Sequence, residues 1–134
     1  MPDRLGVGLL DTSVLIYLHS IDPDLLPERV AVSAITLAEL AAGPAATADP
    51  AERARRQDQL QRAEAAFDPI PFDTEAARAY GRVFSAVVAV GRQPRRRIAD
   101  LQIAAVALAN DLPIVTRNPA DFVGLEDLVR VVAV

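Results

Sequence analysis

The sequence predicts an α/β protein: a three-layer α/β/α sandwich around a central, mainly parallel sheet. Three observations predict it. Short aliphatic runs alternate with helical patterns along the chain, the order that builds β-α-β units. The strand candidates are continuously apolar rather than alternating, as strands covered on both faces are. The chain has 134 residues with no internal repeat and no shift in composition, which fits one domain, 1–134, with a substantial core.

The first strand is expected over 5–10, in Leu5-Gly6-Val7-Gly8-Leu9-Leu10, and a helix should follow Asp11-Thr12-Ser13 with Val14, Leu15 and Leu18 on its apolar side. A second strand is expected over 29–32. Gly43 to Thr47 reads as a loop. Asp49-Pro50-Ala51-Glu52 then combines an N-cap, a first-turn proline and a glutamate at the third helical position, so a helix should run to about Phe67. That helix carries Arg53, Arg55, Arg56, Asp58, Arg62 and Glu64, a polar surface suited to solvent. A third strand is expected over 70–72. Asp73 should cap the next helix, with Ala77, Tyr80, Phe84, Val87 and Val88 as its apolar face and Gly91 as its stop. Asp100 opens a further helical stretch, and strands are expected over 113–116 and 129–132.

Composition excludes several chemistries. Apolar residues make up 51% of the chain and aromatics 4%, so the core is aliphatic. There is no cysteine, which removes disulfides, thiolate metal sites and cysteine nucleophiles and suits a reducing compartment. The single histidine, His19, rules out a histidine-pair ribonuclease mechanism and reads as a polar residue at a helix end. All 14 basic residues are arginine. With a net charge of −4, the chain is not a general nucleic-acid coat, so a polyanion would have to be held locally or through metal ions. No apolar run approaches the roughly 20 residues of a membrane span. The opening Met1-Pro2-Asp3-Arg4 lacks the features of a secretory leader, so a cytoplasmic protein is expected.

Four acids stand out because each lies where a strand ends or a helix begins. Asp11 follows the first strand. It can act as an N-cap, or as a ligand at the carboxyl edge of an open α/β sheet, where such sheets bind their ligands. Thr36-Leu37-Ala38-Glu39 matches a capping box, and taken alone Glu39 favours that structural role. Asp100 heads a stripe of Ile103, Ala104, Ala107 and Leu108, which aims a carboxylate at the interior or at a cleft; here function is the better reading. Asp121 follows the turn-forming Asn118-Pro119, and only the company of the other acids makes it a candidate. Thr116 and Asn118 end the fourth strand and are placed either to orient a water or a phosphate oxygen or to shape a turn. Arg92, Arg95, Arg96 and Arg97 lead directly into Asp100. Beside an acidic pocket they are candidates for gripping phosphates that flank the reacting one. Clustered carboxylates need a cation to offset their desolvation, and an oxygen-only donor set suits Mg2+ or Mn2+.

Leu10-Asp11-Thr12-Ser13-Val14-Leu15, Leu37-Ala38-Glu39-Leu40-Ala41-Ala42-Gly43, Asp100-Leu101-Gln102-Ile103-Ala104-Ala105 and Thr116-Arg117-Asn118-Pro119-Ala120-Asp121-Phe122 occur in this order. Together they resemble PIN-domain ribonucleases of the VapC toxin type, from about Leu9 to Val134. The resemblance implies a PIN-like fold, metal-dependent cleavage of RNA, a homodimer and neutralisation by a cognate antitoxin. It implies metal-binding acids at Asp11, Glu39, Asp100 and Asp121, with Asn118 competing for part of the fourth role. Thr12, Ser13, Thr116, Asn118 and Arg95 to Arg97 are the candidate substrate contacts, although the arginine run is richer than the family pattern demands. A receiver domain, and commonly a haloacid-dehalogenase-type phosphatase, needs a lysine this chain lacks. A DNA-directed nuclease with the same site, or a silent interaction module, remains the alternative.

Overall fold

The computed structural model describes residues 4–134; the leader expectation drawn on Met1, Pro2 and Asp3 falls outside them. Four parallel strands form one sheet in the order β2-β1-β3-β4: β1 is Val7–Leu10, β2 Arg29–Ala31, β3 Ile114–Thr116 and β4 Val131–Ala133. The chain leaves β1 to one side for β2 and then crosses to its other side for β3. The carboxyl ends of β1 and β3 therefore flank a topological switch point, the position where open α/β sheets bind ligands.

The helices are α1 (Thr12–Ile16), α2 (Ala34–Ala42), α3 (Pro50–Ala66), α4 (Thr74–Ala89) and α5 (Ile98–Ala109). Leu9 and Ile114 face a core shared with α4 and α5. Their neighbours Leu10 and Val115 face a second core with Val14 and Val32, onto which Leu15, Leu18 and Phe67 pack. Side chains of successive strand residues point to opposite faces, so a sheet covered on both sides needs the unbroken apolar runs seen in the sequence. Gly8 is required by close approach, because a Cβ there would lie 2.7 Å from the Pro27 ring and 2.8 Å from a Val115 methyl.

Several expectations need correction. Residues 70–72 form no strand: Ile70 makes an isolated parallel bridge to Ser33, with Ile70 N donating to Val32 O (2.9 Å) and Ala34 N to Ile70 O (2.8 Å). Pro69 and Pro71 flank Ile70 and have no N–H, so the ladder cannot grow. Within 43–47, Pro44–Ala46 is a turn of 3-10 helix. On α4 the buried face is Ala76, Ala79, Val83 and Val87, while Phe84 (41% exposed) and Val88 (51%) lie outward. The expected face was rotated, because an apolar residue on an outer surface looks like core in sequence. The caps at Asp49 and Asp73 hold, and Gly91 (φ 77°) follows α4 in the left-handed region that glycine tolerates.

Candidate functional site

Asp11 leaves the end of β1 at the switch point and is only 4% exposed. Its Oδ1 accepts from Val14 N (3.1 Å), capping α1, and from Ser13 Oγ (2.8 Å). Its Oδ2 accepts from Thr116 Oγ1 at 2.5 Å, across the gap between β1 and β3. Thr116 in turn accepts from Asn118 N (2.9 Å). Both hydroxyls, Ser13 and Thr116, thus donate to Asp11 and fix its carboxylate plane. The capping role and the cleft position coexist in one residue.

Glu39 is not a capping residue. The N-cap of α2 is Ser33, whose Oγ accepts from Thr36 N (3.2 Å). Glu39 therefore lies beyond the first turn of α2, out of reach of the cap amide. Its Oε1 accepts from Thr12 Oγ1 at 2.5 Å, and Thr12 Oγ1 lies 3.0 Å from the buried Thr36 Oγ1. A hydroxyl has one proton. Thr12 gives its proton to the carboxylate, so Thr36 must donate to Thr12, and a two-hydroxyl relay holds Glu39 toward the Asp11 loop. The sequence pattern offered Thr36 as the N-cap of a capping box, whereas Ser33 holds that place and Thr36 supports Glu39 through Thr12.

Asp100 lies in the first turn of α5, a helix buried along Leu101, Ile103, Ala104, Ala105, Val106 and Ala107. Among the described residues, no side-chain hydrogen bond reaches its carboxylate. Its pKa is raised from 3.8 to about 6, chiefly by burial and then by the charges of Asp121, Glu39 and Asp11 in that order, with Arg97 partly opposing them. Four acids from four separate segments thus meet in one field. Asp121, in the 3-10 turn Pro119–Phe122, is half-buried and ion-paired with the Arg97 guanidinium. Asn118 is exposed, and its backbone is fixed by Thr116. Arg95 and Arg96 are exposed on the turn Pro94–Arg97, while Arg92 Nη1 donates to Ala120 O (2.6 Å).

The donor chemistry suits a hard divalent cation: four carboxylates, no thiolate, no imidazole and no lysine. As the side chains stand, no group of three or more acids or histidines among the described residues is arranged to hold an ion. Glu39 is hydrogen-bonded to Thr12, and Asp121 is ion-paired with Arg97. The acids are near enough for the charges of Asp121, Glu39 and Asp11 to raise the Asp100 carboxyl.

The model of the PIN domain matches residues 8–123. The chain belongs to the PIN-domain family. Ribonuclease VapC5 of Mycobacterium tuberculosis is 41% identical over 124 residues, covering 90% of this chain and 89% of that protein. Ribonuclease VapC8 of the same organism is 40% identical over 105 residues, covering 78% and 93%. Among solved structures, VapBC-5 from M. tuberculosis, a member of the VapBC family of toxin–antitoxin systems, superposes with a TM-score of 0.84 at 39% identity, covering 96% of this chain and 99% of that one. The family and fold expected from the sequence are those found, and within the PIN family the chain groups with the VapC type. Among the described residues no helix is long and apolar enough to cross a membrane.

Proposed function

We propose that this PIN-domain protein is a metal-dependent endoribonuclease, the toxin of a toxin–antitoxin pair. The observation that carries the reading is that Asp11 stands at the switch point, Glu39 is bonded to the adjoining Thr12, and Asp121, Glu39 and Asp11 all act on the half-buried Asp100. Its similarity to two ribonucleases and to a toxin–antitoxin structure supports the substrate and the partner.

In this reading Asp11, Glu39, Asp100 and Asp121 hold Mg2+ or Mn2+, which when bound supplies positive charge for the phosphate and lowers the pKa of an attacking water. Ser13 and Thr116 keep Asp11 oriented, and the Thr36–Thr12 relay holds Glu39 beside the Asp11 loop. Asp100 ionises fully once positive charge lies beside it. Arg97 steadies Asp121 and, with Arg95 and Arg96, lines the approach of flanking phosphates. In-line attack by water leaves a 5′-phosphate and a 3′-hydroxyl, and the ribose 2′-hydroxyl takes no part as nucleophile.

The same reading includes a homodimer, for which the outward Phe84 and Val88 of α4 and the nearby Val90 offer an apolar surface. It also includes a small antitoxin that plugs the acid cluster with a guanidinium. Expression in a bacterial host tests it. Wild-type protein should arrest growth, Asp11→Asn should not, and co-expression of the antitoxin should restore growth. Equal toxicity of wild-type and Asp11→Asn proteins, or harmlessness of both at matched levels, would refute the toxin role.

A further inference from the structure

We propose that Tyr17 and Arg117 form a stacking platform at the lip of the acid cluster that holds an unpaired base of a single-stranded RNA beside the cleavable phosphate. The inference rests on the ribonuclease reading and adds how the strand is seated. Tyr17 is the C-cap of α1 and is 51% exposed although it is one of only six aromatic residues counted as Phe, Tyr or Trp. The Arg117 guanidinium carbon lies 4.5 Å from the centre of its ring. An exposed tyrosine has no core to fill, and an exposed arginine gains little by folding onto it. The pair instead presents a flat, positively charged, preordered surface.

Its position links it to the chemistry at both ends. Arg117 directly follows Thr116, whose hydroxyl holds Asp11. Tyr17 N donates to Ser13 O (3.2 Å), one turn from the Ser13 hydroxyl that also holds Asp11. Tyr17 also lines a cleft of about 540 Å³ that it shares with Thr12, Ile16, Glu39, Arg55 and Gln59, so the platform opens onto the Glu39 side of the acid cluster. A base resting on the platform would therefore belong to a nucleotide near the one whose phosphate meets the acids. Bases stack on aromatic rings and guanidinium planes with little regard to sequence, and only unpaired bases are free to do so. The platform thus selects single-stranded segments rather than a particular base. In this proposal Tyr17 and Arg117 bind the strand and take no part in the bond-breaking step.

Tyrosine fluorescence tests this directly, because the chain has two tyrosines and no tryptophan. In a Tyr80→Phe background, Tyr17 is the sole tyrosine. That protein is titrated in EDTA, where no cleavage occurs, with a random-sequence RNA decamer and with an abasic decamer of equal charge. The decamer should quench Tyr17 emission and the abasic strand should not. Tyr17→Leu and Arg117→Gln should each weaken decamer binding about tenfold to a hundredfold, whereas Tyr17→Phe should bind like the parent. In cleavage assays with metal, Tyr17→Leu should raise KM and leave kcat within about twofold. Unmoved Tyr17 emission, equal quenching by both strands, or equal decamer affinity of parent and Tyr17→Leu overturns the platform. So does a Tyr17→Leu protein altered only in binding a protein partner. Loss of RNA cleavage with quenching retained would instead count against the hydrolase reading alone.

Discussion

Replacing Asp100 by Asn removes a charge that the cation-free protein holds at a cost. The folded carboxyl titrates at about 6 rather than 3.8, chiefly because of burial and then because of Asp121, Glu39 and Asp11. A carboxylate whose folded pKa is raised binds its proton more tightly in the folded than in the unfolded state. Well below pH 3.8 both states are protonated and there is no penalty, and near pH 4 it is still small. The penalty grows between about pH 4 and pH 6 and is complete above 6, so stability falls as pH rises through that window. A carboxyl raised from 3.8 to about 6 corresponds to about 3 kcal/mol for a fully desolvated group. The side chain is only half-buried, and solvent screening reduces this to about 1–2 kcal/mol. In EDTA at pH 7.5, Asp100→Asn should therefore melt about 3–8 °C above wild type. At pH 4 the two proteins should melt together. Manganese should reverse the order, raising wild type by about 2.7 kcal/mol at a hundred times its Kd while leaving the variant nearly unmoved. Differential scanning calorimetry at both pH values measures this. A variant melting at or below wild type at pH 7.5, or a gap that persists at pH 4, would refute the account of Asp100.

Glu39→Gln should lower manganese affinity and cleavage together while changing stability by less than about 0.5 kcal/mol, because Ser33 and not Glu39 caps α2; an unchanged manganese titration would remove Glu39 from the site. Thr116→Val keeps the shape of a fully buried side chain but takes the 2.5 Å donor from Asp11. It should cost about 1–3 kcal/mol in chemical denaturation and reduce cleavage, and wild-type stability would show that the Asp11–Thr116 bond across the switch point contributes nothing.

What was legible in the sequence is what local residues decide. Val7 to Leu10 and Ile114 to Thr116 read as two-sided strands because both sheet faces are covered. Asp49-Pro50 and Asp73 read as caps because the bonds they make lie within three residues. The misreadings share another cause. The Thr36–Glu39 spacing fits a capping box, yet the chain enters α2 one turn earlier, straight from the bridge that Ser33 makes with Ile70. Ile70 has a strand's chemistry, but its prolines stop the ladder at one bridge. The outward side of α4 carries Phe84 and Val88, which no periodicity distinguishes from core. The acids were individually visible, while their coupling came only from the family resemblance: it joins residues as far apart in sequence as Asp11 and Asp121, and only the strand order brings them together.

The central claim is that clustered carboxylates drive hydrolysis of RNA through a divalent cation and water. The most direct test is to identify the ends left on an RNA incubated with the purified protein, with Mn2+ or with EDTA. The account predicts cleavage only with the metal, leaving 5′-phosphate and 3′-hydroxyl ends. Cleavage that persists in EDTA, or ends bearing a 2′,3′-cyclic phosphate, would contradict it.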